Sequence, residues 1–188
     1  MAKVIIVGDG PGGLSAALFL AKNGHEATVY GRDETALHKA YLKNYLGLPD
    51  TLGEDFVRTA RQQVVRYGAV LREDRVVSVS QGDGFRLETE GGEADEADYL
   101  ILTEGKNAPL ANGLGLERTE TGIAVDAEYR TSIDRVYVVG RSARPKRSQA
   151  IISAGAGAVA ALDILAREAG SDVQDWDTPP KEEATSAP

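Results

Sequence analysis

The sequence has 188 residues, 42% of them hydrophobic, with a formal net charge of −8; this suits one domain with a real core and argues against nonspecific nucleic-acid binding. It contains no cysteine, which excludes disulfides, Cys-based zinc sites, Cys-x-x-Cys redox chemistry and thiol nucleophiles. No stretch approaches the roughly 20 apolar residues of a membrane span, and the apolar run at residues 4–7 is too short for a signal-peptide core, so no membrane association and a cytoplasmic location are expected.

Lys3–Val7 is rich in Val and Ile and reads as a buried parallel strand. Gly8-Asp9-Gly10-Pro11-Gly12-Gly13 follows at once. Residues 14–23 carry Leu14, Ala17, Leu18 and Ala21 at helical spacing, and Asn23-Gly24 ends that helix. Residues 27–30 form a second strand and complete a unit of βαβ size. Residues 31–53 are irregular, punctuated by Pro49 and Gly53. Residues 54–67 predict an amphipathic helix with Phe56, Val57, Ala60 and Val64 on one side, stopped by Gly68. Residues 69–71, 75–80 and 85–89 read as short strands, the last two joined by the turn Gln81-Gly82-Asp83-Gly84. Residues 99–102, 123–125 and 136–139 are further strands, and residues 148–168 a long helix with an Ala-rich face. Residues 171–188, with Pro179, Pro180 and Pro188, read as a disordered tail.

Gly8, Gly10 and Gly13 fit G-x-G-x-x-G. The first glycine permits the tight turn, the second lets the backbone approach a pyrophosphate, and the third lets the helix pack on the sheet. The helix amino terminus then offers free N–H groups and a partial positive charge to phosphates. The loop follows a strand and opens a helix, with small residues Ser15, Ala16 and Ala17 behind it, so Gly8, Gly10, Pro11, Gly12 and Gly13 are candidate dinucleotide contacts. A turn kept only for packing, or a site that has lost its ligand, is the competing reading. The acid that usually follows the second strand and binds ribose hydroxyls is replaced by Gly31. Asp33 or Glu34 could reach instead, and Arg32 could favour a 2′-phosphate or be a plain surface charge. The expected fold is α/β: a Rossmann-like, FAD/NAD(P)-binding, three-layer domain over residues 1–170, with a central parallel sheet and a small β-meander.

Three segments, in order, resemble the FAD domain of the thioredoxin reductase family: residues 4–18 with the glycine loop, residues 44–68 beginning Asn44-Tyr45-Leu46-Gly47-Leu48-Pro49, and residues 130–163 with Val136-Tyr137-Val138-Val139-Gly140 and Gln149-Ala150-Ile151-Ile152-Ser153. The resemblance implies FAD as cofactor, NAD(P) less so. It implies that the segment at Gly140 reaches the ribityl chain and that the helix beginning near Gln149 and Ala150 aims at the pyrimidine edge of the flavin. It also marks departures. The family's NADPH domain, with its second glycine motif and cysteine pair, is missing, the junction falling near residues 110–122. The family's Ala-Thr-Gly corresponds to Thr103-Glu104-Gly105, and its Gly-Asp to Gly140-Arg141. Arginine only donates hydrogen bonds, so Arg141 cannot replace that carboxylate. The adenine half of the site reads as intact and the flavin half as remodelled.

Arg141, Arg144, Lys146 and Arg147 form a basic cluster in an acidic protein, suited to an anion or simply solvated. His25 and His38 read as surface residues, Tyr41 and Tyr45 as packing or ring-stacking residues, and Trp176 needs no function. No catalytic side chain and no metal ligand set is discernible. Two functions compete: a single-domain flavoprotein reduced by free or partner-supplied NAD(P)H, and a non-catalytic FAD- or NAD(P)-binding sensor or assembly module. A homodimer or a redox partner protein could cover the surface left by the missing domain.

Overall fold

The computed structural model describes residues 1–179. The elements run β1 (Lys3–Val7), α1 (Pro11–Lys22), β2 (Glu26–Tyr30), a 3₁₀ turn (Ala36–Lys39), β3 (Tyr41–Leu42), β4 (Thr51–Leu52), α2 (Gly53–Arg66), β5 (Val70–Arg72), β6 (Val76–Gln81), β7 (Phe85–Thr89), β8 (Ala94–Ala97), β9 (Tyr99–Leu102), α3 (Pro109–Gly113), β10 (Arg118–Thr119), β11 (Gly122–Ile123), β12 (Val136–Val138) and α4 (Ala150–Ala169).

Five strands form the central sheet in the order β12-β9-β1-β2-β5, every pair parallel. Alternation of side chains along each strand separates two cores. Val4, Ile6, Ala27, Val29, Ile101 and Tyr137 face α1 and α4. Ile5, Val7, Tyr30, Leu100, Leu102 and Val138 face the other way, onto Phe85 and Leu87 of the antiparallel meander β6-β7-β8 and onto Leu110 and Ile123. Helices, sheet and meander are therefore three layers. Strands buried on both faces need apolar residues at every position, which is why β1 and β9 read as continuous hydrophobic runs.

The irregular segment 31–53 contains the 3₁₀ turn and the β3–β4 pair. β8, α3 and β10 are additions to the elements expected from sequence. The strand expected at 123–125 is the shorter β11, the antiparallel partner of β10, and lies outside the central sheet.

α4 corrects the expectation that nothing approaches a membrane span: its 20 residues are long and apolar enough. It is nevertheless a core helix, with Ala156, Ala160, Ala161, Ile164 and Leu165 buried. It also carries Asp163, 9% exposed, which accepts from Tyr137 Oη at 2.6 Å and Arg130 Nε at 2.8 Å. Of the segment expected as a tail, residues 171–179 form no helix or strand, but Val173 packs on the core and Lys22 Nζ reaches Asp175 at 2.7 Å and Asp177 at 2.5 Å. The rest of it, residues 180–188, lies outside the described residues.

Candidate dinucleotide site

The chain leaves β1 for β2 on one side, and later returns to pair β9 on the other. Such a switch opens a crevice beyond the carboxyl ends of the strands. Gly8, Gly31, Thr103 and Gly140 each lie just past the end of a sheet strand, and a cavity of about 470 Å³ sits there.

The glycine loop forms its floor. Gly8 has φ +112°, and a Cβ on it would lie 2.4 Å from the Thr103 carbonyl oxygen, so no other residue fits. Gly10 caps α1 without a side-chain hydrogen bond, Pro11 starts the helix, and the first turn holds no acid. Pro11 has no N–H, and Leu14 N–H already bonds to Gly10 O at 3.0 Å. The N–H group of Gly12 is thus left for an external acceptor at the positive end of a 12-residue helix. A Cβ on Gly13 would meet Gly8 O at 2.0 Å, and Gly13 does not line the cavity: the third glycine serves packing.

At the β2 side the walls are Tyr30, Gly31, Arg32, Glu34 and Thr35, with residues 74–76 below. Arg32 is ion-paired with Glu90. Asp33 is not a wall residue; its N–H donates to Asp9 Oδ2 and its carboxylate meets His38 Nε2 at 2.9 Å. Asp9, which sequence reasoning passed over, is 6% exposed and held by Arg61 of α2 at 2.8 Å.

At the β9 and β12 side the walls are Thr103, Glu104, Gly105, Pro109, Arg141 and Ser153. Gly140 has φ +63°, and a Cβ there would lie 3.1 Å from Thr103 Oγ1. It brings Thr103 and Ser153 together without lining the cavity itself. Glu104 accepts from the N–H groups of Leu110 at 2.8 Å and Ala111 at 3.1 Å, capping the start of α3. Burial pushes its carboxyl above the ordinary value, and these two N–H donors offset part of that. The substituted Glu104 therefore has a structural task. Arg141, Arg144, Lys146 and Arg147 make no ion pair with an acid among the described residues.

Of the expected contacts, Gly8, Gly10, Pro11, Gly12, Gly31, Arg32, Gly105 and Arg141 share the cavity wall, and Gly13, Gly140, Gln149 and Ala150 do not. Gln149 Oε1 instead accepts from Asn44 Nδ2 at 3.0 Å, joining two of the segments that carry the family resemblance. Tyr45 packs on Phe56, ring centroids 5.4 Å apart, beside a separate groove between α1 and α2. Tyr41 lies under the Lys43 ammonium. His25 Nδ1 accepts from Ala2 N–H at 3.1 Å.

A glycine loop opening a helix at the switch point of a parallel sheet, over an open crevice, defines the dinucleotide-binding class of three-layer α/β domain. The profile of the pyridine nucleotide-disulphide oxidoreductase family matches residues 2–105, and the chain belongs to that family. Among solved structures it is similar to a thioredoxin reductase from Gloeobacter violaceus, at 17% identity and TM-score 0.83, covering 94% of this chain and 99% of that one. It is also similar to the atypical thioredoxin reductase TRi from Desulfovibrio vulgaris Hildenborough, at 20% identity and TM-score 0.80, covering 88% and 97%. The thioredoxin reductase of T. acidophilum is similar at 17% identity and TM-score 0.79, covering 89% and 99%. At these identities the likeness is one of fold. No curated protein matches the chain.

Proposed function

We propose that the chain is a single-domain flavoprotein that holds FAD and passes electrons from NAD(P)H, free or supplied by a partner, to an acceptor. One observation carries this reading: a single cavity is walled at one end by Gly31 and Arg32, in the middle by Gly8 to Gly12, and at the other end by Gly105, Arg141 and Ser153. That order matches adenosine, pyrophosphate and flavin. The residues fit the nucleotide half, since Gly10 puts no side chain on the cavity wall and the N–H group of Gly12 awaits an acceptor. When bound, the flavin would supply the hydride and electron chemistry. The chain orients the diphosphate through Gly12, presents the Thr103 and Ser153 side chains near the ring end, and places the Arg141 guanidinium at the mouth.

The alternative, a non-catalytic dinucleotide sensor, draws on Arg141 standing where the family has a carboxylate. The visible spectrum after soaking with FAD and desalting separates them. Retained flavin bands, with NAD(P)H oxidation above free flavin and lost in Gly10→Val, support the flavoprotein. A colourless protein that still binds ADP-containing ligands supports the sensor. The reading includes a cytoplasmic location and a homodimer or partner. Exposed Leu46, Leu48, Ile151 and Ile152 follow the Asn44–Gln149 bond and suit such a contact. A monomeric mass at micromolar concentration would count against the homodimer.

A further inference from the structure

In this class of fold the acid at the end of the second strand binds the adenosine ribose, and here that position is Gly31. The space is not empty. A Cβ on Gly31 would lie 2.3 Å from Asp9 Cγ and 2.6 Å from Asp9 Oδ2. The Asp9 carboxylate, reaching across from the glycine loop, occupies the volume a side chain at position 31 would take.

The carboxylate is fixed by one oxygen. Oδ2 accepts from Arg61 Nη1 at 2.8 Å and from Asp33 N–H at 2.8 Å. Oδ1 makes no hydrogen bond among the described residues. Among the described residues no side-chain oxygen sealed from solvent lacks a partner, so Oδ1 of this buried residue opens to the cavity that Asp9 and Gly31 both line. The cations nearby are taken up. Arg61 also lies 3.2 Å from Glu73 and 4.0 Å from Asp33, and Arg32 is paired with Glu90.

Resting on the dinucleotide reading, we propose that Asp9 takes over the role of the missing strand-end acid: its Oδ1 accepts hydrogen bonds from the ribose hydroxyls and selects a nucleotide with a free 2′-hydroxyl over one with a 2′-phosphate. A carboxylate only accepts. It pairs with a hydroxyl and repels a phosphate, and the acids around Arg61 reinforce that repulsion.

The test is calorimetric titration of the full chain with ADP-ribose and its 2′-phosphorylated form, which makes it independent of the flavin. The wild type is expected to bind ADP-ribose at least about tenfold more tightly than the phosphorylated form. Asp9→Asn should weaken ADP-ribose roughly tenfold and narrow the preference. Asp9→Gly combined with Gly31→Asp returns a carboxylate to the strand end and should restore both. If Asp9→Asn lacks the wild-type circular dichroism spectrum, the wild-type preference and the double variant decide. ADP-ribose binding with no wild-type preference, or with Asp9→Asn folded and unchanged, overturns the role of Asp9 and leaves the dinucleotide reading standing. Absence of binding by both ADP-ribose and FAD overturns the two together.

Discussion

The backbone of Gly12 and the missing side chain of Gly157 are in direct apposition: a Cβ on Gly157 would stand 2.0 Å from Gly12 O and 3.1 Å from Ala16 N. α4 thus lies against the first turn of α1 at a distance only glycine allows, and the amino-terminal end of α1, with its glycine loop, rests on that contact. Because the obstacle is backbone, it cannot swing aside. Gly157→Ala should cost about 3 kcal/mol or more and weaken nucleotide binding with it. Gly155 is the control: it lies two residues earlier, is exposed, and a Cβ there meets nothing within 4 Å. Gly155→Ala should stabilise by roughly 0.5–1 kcal/mol. Urea unfolding of both variants checks the pair, and equal midpoints would show that the close helix contact is not required.

Asp163 ties α4 to β12 through Tyr137 and to the preceding loop through Arg130. Burial works to raise its carboxyl, but the hydrogen bonds from Arg130 and Tyr137 outweigh burial and hold it below its ordinary value of 3.8. A carboxyl depressed by folding stabilises above its unfolded value, and that contribution is lost as pH falls through the folded one. Asp163→Asn should lose about 2–4 kcal/mol at pH 7, since the charge-assisted hydrogen bonds from Arg130 and Tyr137 weaken. Its stability should also fall less steeply than the wild type's in acid below pH 3.8. Parallel acid slopes would locate the acid sensitivity elsewhere.

Glu104 has the opposite sign. Its folded value is raised above 4.5 by burial, so the folded state favours the proton. Its contribution to stability is complete below 4.5 and declines as pH rises through the folded value. Glu104→Gln cannot titrate, and it keeps one acceptor for the N–H groups that begin α3. Urea midpoints taken upward from pH 4.5 should therefore fall more in the wild type than in the variant. A wild-type profile no steeper than the variant's would remove the buried carboxyl as the cause.

The unit from β1 to β2 is legible in the sequence because every cue in it is local: a short apolar run, glycines at fixed spacing, and a helix ended by Asn23-Gly24. The same holds for β9 and β12, whose unbroken hydrophobicity reflects burial on both faces. What was hidden depends on distant partners. Asp9 looks like filler in a glycine loop until Arg61, 52 residues on, and Gly31 close around it. α3 has five residues and its backbone is capped by Glu104 from outside the helix, so it shows no periodicity. β8, Ala94–Ala97, is short, charged and at the edge of the meander, and lacks the β-branched residues that mark a strand. Residues 171–179 have a tail's composition, yet Lys22 pins Asp175 and Asp177.

On the proposed flavoprotein reading, Arg141 governs how tightly the flavin end of the ligand is held. It lines the ring end of the cavity, only partly buried, one residue past Gly140, whose left-handed backbone sets the direction of the following side chain. A guanidinium there cannot accept a hydrogen bond from a ribityl hydroxyl, whereas a carboxylate can. Arg141→Asp should therefore tighten FAD about tenfold, the value of one hydrogen bond to a charged acceptor, and leave ADP-ribose unchanged, since the Gly31 end of the cavity is untouched. Quenching of flavin fluorescence measures the first and calorimetry the second. An unchanged or weaker affinity for FAD, with ADP-ribose binding intact, would mean that Arg141 itself contacts the ligand and that the ring end has been rebuilt around a cation.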